Sequence, residues 1–131
     1  MTNLKPRNGG EWTESRYQSF IKSALRGARW PQKYKAIQGA YIKDGVNPAT
    51  GRKCKLHLCC ECGGEFPASG VQADHIEPVV PLTGFDSWDA LIERLYCEVE
   101  GFQVMCRGCH KIKTKEENAI RRANKKVKNE S

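Results

Sequence analysis

No apolar run in these 131 residues is long enough to cross a bilayer, and no apolar segment follows the start Met1-Thr2-Asn3-Leu4-Lys5. The expectation is therefore a protein with neither a membrane-spanning helix nor a cleaved export signal. The expectation is a soluble, cytoplasmic protein with no membrane partner. Internal repeats are absent, and nothing of low complexity precedes the basic C-terminal end, which rules out solenoid and linker architectures. Histidine is scarce, with three in the chain, at 57, 75 and 110. Each therefore asks for a role.

Cysteine is the opposite case. Seven are present, an odd number that suits metal ligands and spare thiols in a reducing compartment better than a disulfide framework. Four form two matched Cys-x-x-Cys pairs, Cys59/Cys62 and Cys106/Cys109, and four thiolates at that spacing make a closed tetrahedral zinc site, which is structural. Cys60 is a poorer alternative to Cys59. Cys54 reads as a loop thiol and Cys97 as a packed one. The stretch from Gly63 to Met105 far exceeds the roughly 12 to 20 residues usual between the pairs of a zinc ribbon, so something functional is inserted within the clamp. It contains Asp74-His75, and His110 follows the second pair directly. A carboxylate and two imidazoles gathered by the clamp suit a hard-metal phosphodiester site. Zinc is expected to be needed for folding, because a modest core is left once the clamp is built.

The net charge of +7 is spread unevenly. Residues 1–56 hold twelve Lys and Arg against three Asp and Glu, residues 57–109 hold two against nine, and residues 110–131 hold eight against three. Basic flanks suit a phosphate backbone and an acidic centre suits a cation, so DNA is the expected partner, with affinity that falls steeply as salt rises. A solvated surface is the plainer reading of the same charges. The sequence assigns no oligomeric state.

Periodicity predicts an α+β fold. Residues 1–10 read as a flexible basic tail, and residues 11–56 as a helical leader packed on the core. Tyr17, Phe20, Ile21, Ala24 and Leu25 mark one helix from Thr13 to Gly27, and Tyr34, Ile37 and Tyr41 a second, running from Pro31 to Asp44 before an exposed loop over 47–55. Residues 57–123 form the zinc-clamped domain: a knuckle at Leu58–Cys62 backed by Phe66 and Pro67, a strand over Val71–Ile76, and a helix with Trp88, Leu91, Ile92, Leu95 and Tyr96 inward, capped by Asp86 or Ser87. A strand over Phe102–Met105 and a last helix from Cys109 or His110 to about Ala123 complete it. Residues 124–131 read as a frayed basic tail. Trp12, Trp30 and Trp88 belong to packing, since no basic stripe interleaves them.

The segments Val71-Gln-Ala-Asp-His-Ile-Glu-Pro-Val79 and Gly101-Phe-Gln-Val-Met-Cys-Arg-Gly-Cys-His-Lys-Ile-Lys-Thr114 together resemble the HNH endonucleases, in their zinc-clamped, phage-type branch. The resemblance covers roughly Cys59 to Lys115, and the helical leader is similar to that of small phage HNH proteins. It implies a ββα-metal core cutting DNA phosphodiester bonds, and a phage or mobile-element origin. His75 would then be the general base, and Asp74 and His110 the ligands of a catalytic Mg²⁺ or Mn²⁺ beside the structural Zn²⁺. One position departs from the family. Its middle Asn falls nine residues before the last His, where this chain has Gly101, so the Asn's role in orienting the base or ligating metal passes elsewhere. Glu98, Glu100 and Gln103 are the neighbours able to take it, with Glu100 the weak candidate. The alternative is an impaired HNH fold acting as a DNA-binding or host-protein-binding module. Lys111, Lys113 and Lys115, just beyond His110, are candidate phosphate contacts, and His57 reads as a surface or packing residue.

Overall fold

A computed structural model describes residues 4–130 as two compact units, one ending at Trp30 and one beginning at Pro31. In the first, helix α1 spans Glu14–Arg26. Thr13 caps it through an Oγ1 that accepts from the Arg16 amide at 3.2 Å, and Gly27 ends it, as the pattern predicts. The segment before it, read from sequence as a tail, carries a hydrogen-bonded turn. Arg7 and Trp12 exchange backbone hydrogen bonds at 3.2 and 3.0 Å around a 3-10 turn at Asn8–Gly10. The Arg7 guanidinium pairs with Glu14 at 3.0 Å and lies 4.2 Å from the Tyr17 ring centre, while Trp12 packs on Phe20 with ring centres 5.1 Å apart. Aromatic and cationic side chains thus hold the turn onto α1. Residues 1–3 of the expected tail lie outside the described residues.

The second unit begins with α2, Pro31–Gly39, which is shorter than its periodicity predicts. Gly39 ends it, and Tyr41–Val46 (β1) runs antiparallel to Lys53–Leu58 (β2), which pairs in turn with Glu65–Pro67 (β3). The Tyr34, Ile37, Tyr41 spacing misleads because it bridges two elements: Tyr34 and Tyr41 are exposed and Ala36 is the buried residue of α2. Tyr41, Ile42 and Val46 carry the strand preference that takes over. The expected loop over 47–55 shrinks to a turn closed by Asn47 N–H to Arg52 O at 2.8 Å, so Cys54 sits on β2, not on a loop. The leader is therefore helical only in part.

Val71–His75 (β4) and Phe102–Cys106 (β5) form a second antiparallel pair with Asp74 opposite Gln103 and His75 opposite Phe102. Helix α2 packs on both strands. Between them runs α3, Trp88–Leu95, capped by Ser87 through a 3.2 Å bond from the Ala90 amide. Its apolar face buries Leu91 and Leu95, which join Val71, Ala73, Phe102 and Val104 in the core. Asp86, just outside the cap, is held down to about 2 by its bond from Arg94 and by the Ser87 amide.

Helix α4 starts at Arg107, two or three residues before the expected Cys109 or His110, and runs to Glu130, past the expected end at about Ala123. The reason is tertiary. Arg121 donates to the Val80 carbonyl and Asn124 to the Leu82 carbonyl, each at 2.9 Å, while Arg94 donates to Val79 O at 2.8 Å. The connection after β4 would otherwise leave these carbonyls unpaired, and α4 extends to meet them. Ser131 lies outside the described residues. No helix among the described residues is long and apolar enough to cross a membrane.

Candidate metal centre and adjoining acidic site

The sequence brings four sulfurs to one point. Cys59 directly follows β2 and opens a turn closed by Gly63 N–H to Cys59 O at 3.0 Å, in which Gly63 takes the positive φ of 73° that favours glycine. Cys62 sits in that turn, Cys106 is the last residue of β5, and Cys109 lies in the first turn of α4. Their Sγ atoms all lie within 4.8 Å of one another, a cluster that can hold a zinc ion. Phe66 packs against it together with Met105. The pairs expected from spacing are the ones assembled, and Cys60 is left outside, its thiol 3.8 Å from Gln103 Oε1.

The backbone already favours anionic sulfur. Burial pushes the Cys59 thiol up, yet the amides of Cys62, Cys106 and Glu61 outweigh it and bring it down to about 6. The Cys109 thiol is pushed up to about 12, first by its hydrogen bond to Cys106 and then by burial. Amides aimed at sulfur are what a thiolate–metal cluster uses, and loading a metal releases the protons that remain.

Asp74 is buried beside this cluster. The β4–β5 register sets Gln103 across from it, and Gln103 Nε2 donates to Asp74 Oδ2 at 2.9 Å. From α4, His110 Nε2 stands 3.4 Å from Asp74 Oδ1, and Lys113 Nζ stands 2.7 Å from Oδ2. Lys113 also reaches the His75 carbonyl at 3.4 Å and Glu117 at 3.4 Å. His110, Lys113 and Glu117 share one helix face at i, i+3 and i+7. Burial lowers the affinity of the Lys113 ammonium for its proton, but Asp74 and Glu117 more than restore it. Two ligands each about 2.0 to 2.1 Å from one ion lie roughly 3 to 3.4 Å apart, so Asp74 Oδ1 and His110 Nε2 fit a shared divalent ion. Among the described residues, the four cysteines are the single group of three or more His, Cys, Asp or Glu that can hold a metal. The second ion would have two protein ligands and an otherwise open shell.

His75 is not gathered with them. Neighbouring residues on a strand project to opposite faces, and the His75 ring packs on Phe102 with centres 4.7 Å apart while Nε2 lies 2.9 Å from the Leu95 carbonyl. A carbonyl only accepts, so Nε2 carries the proton and a neutral ring keeps its basic lone pair on Nδ1. The end of α3 thereby fixes the tautomer.

The structure shows why position 101 carries no side chain. A Cβ there would lie 2.5 Å from Cys97 Sγ and 3.0 Å from Cys97 Cβ, and the Gly101 carbonyl accepts from the Ile76 amide at 3.0 Å, just past the end of β4. Cys97 fills the space a side chain would need. Gly101→Asn is expected to cost about 1–3 kcal/mol as overpacking, with a lower urea midpoint that Cys97→Ala largely restores. An unchanged midpoint would show that the space is open. Glu98 and Glu100 are exposed, so neither supplies the carboxylate expected of Glu100, and Gln103 is the neighbour that turns inward. Lys111 and Lys115 line an open trough of about 550 Å³ with His110, Arg107 and Arg122. Lys113, expected as a phosphate contact, is instead committed to Asp74, a partner thirty-nine residues away in sequence. His57 is a buried packing residue.

No protein-family model, curated protein or solved structure gives a significant match to this chain. What fold and site define together is an α+β protein with a four-cysteine cluster able to hold zinc.

Proposed function

We propose that the chain is a zinc-clamped HNH-type endonuclease that hydrolyses DNA phosphodiester bonds. The observation that carries this reading is the pairing of Asp74 Oδ1 with His110 Nε2 at 3.4 Å, across β4 and α4, one residue from a cysteine of the clamp. Zinc in the cluster locks the end of β5 to the start of α4, which fixes His110 opposite Asp74. Gln103 holds the carboxylate by its other oxygen. The general base in this reading is His75, whose ring is anchored through Nε2–H on Leu95 O, on the opposite face of β4 from Asp74, and whose imidazole suits proton transfer near neutral pH. Asp74 and His110 would hold a divalent ion, which when bound would supply positive charge for the phosphoryl oxygens and the leaving 3′ oxygen. Lys111, Lys115, Arg107 and Arg122 present their charges to the phosphate backbone along the trough beside His110.

The second reading, an impaired fold retained for binding, is favoured by the close pairing of Lys113 with Asp74 and by Gly101. Supercoiled-plasmid cleavage by the zinc-loaded protein separates the two. Nicking that requires added Mg²⁺ or Mn²⁺ is expected, and DNA binding without nicking under any divalent ion would select the binding module.

A further inference from the structure

Lys113 occupies a place that a nuclease of this kind would be expected to leave open. Its ammonium is 2.7 Å from Asp74 Oδ2 and its side chain is 24% exposed, so the pair is shielded from bulk water. Oδ2 already accepts from Gln103, which leaves Oδ1, facing His110, as the oxygen for an ion. An ion there and the ammonium would share one carboxylate. A single charge at a distance of about 4–6 Å changes a carboxylate's proton affinity by roughly ten- to thousandfold, and a doubly charged ion feels such a neighbour no less. Glu117 stands on the same helix face and already pairs with the Lys113 nitrogen at 3.4 Å, so the ammonium keeps an anionic partner if it leaves Asp74.

Resting on the assignment of Asp74 and His110 as metal ligands, we propose that Lys113 is a tethered cation that competes with the divalent ion for Asp74, yielding toward Glu117 when the ion binds. Lys113 is a positioning residue in this scheme: it keeps the buried carboxylate neutralised in the metal-free protein and sets the ion concentration at which the site fills. No covalent bond is made or broken; the ammonium gives up Asp74 and keeps Glu117.

Manganese binding to the zinc-loaded full chain, read by the loss of the free-ion electron paramagnetic resonance signal, tests this without recourse to activity. Lys113→Met and Lys113→Gln, each checked for zinc content and for the helical circular dichroism of the parent, are expected to bind Mn²⁺ at least tenfold more tightly, on the scale of one nearby charge. Lys113→Arg, which keeps the charge, is expected to bind as the parent does. The gain should vanish in Asp74→Asn/Lys113→Met. Parent-like affinity in both neutral variants, with Asp74→Asn still weakening binding, would overturn the role of Lys113 and leave the metal-site assignment standing. Mn²⁺ binding that ignores Asp74 in every variant would overturn both.

Discussion

Stripping metal from the zinc-loaded protein with a strong chelator is expected to abolish cooperative unfolding of the unit from Pro31 onward. The cluster joins the knuckle after β2 to the junction of β5 and α4, and Cys59 and Cys106 are themselves core residues. Structural zinc contributes about 10–16 kcal/mol of apparent binding energy in small metal-folded peptides near neutral pH. A domain's entire stability is only about 5–15 kcal/mol, so the loss cannot be absorbed by what remains. Cys59→Ser should act in the same direction, because it withdraws the most buried ligand and leaves three thiols. Thermal scans with and without chelator, with zinc released measured in parallel, provide the check. A sharp transition persisting in the metal-free protein would show that the cluster is not what holds this unit together.

His75→Ala is expected to lower the rate of plasmid nicking by about 10² to 10⁴, the usual share of a general base, while zinc content and DNA affinity stay near those of the parent. The imidazole is bonded to Leu95 O and packed on Phe102, so His75→Ala also alters packing. His75→Gln separates the contributions: its amide can still donate to Leu95 O but cannot take a proton near neutral pH. Both substitutions should be equally inactive if proton transfer is the role. Recovery of activity in the Gln variant would reduce His75 to a structural post.

Much of this was legible in the sequence. Both cysteine pairs, the strands carrying Asp74 and Gln103, and the capped helix after Ser87 follow from local signals, because ligand spacing, strand alternation and caps are set by residues close together. The failures have one physical origin. Residues 41–46 form a strand whose side chains are mostly exposed, so its pattern held no burial information, and α4 outlasts its predicted end because Arg121 and Asn124 find carbonyls about forty residues away in sequence. Neither partnership leaves a mark on its own segment. The same holds at the site, where the vacancy at Gly101 was plain but its cause, the Cys97 sulfur packed against it, was not. Gln103 turning inward follows from cross-strand register, a property of two strands together.

Cys106 ends β5 directly opposite Val71, the first residue of β4, and is held by the cluster. The strand pair is therefore pinned at one end. Asp74 and His75 sit at the other, where a slip of a single residue would swap which of them meets α4 and which meets α3. The sulfur cluster thus sets the phase of the sheet, deciding from three residues away that the acid faces one helix and the imidazole the other.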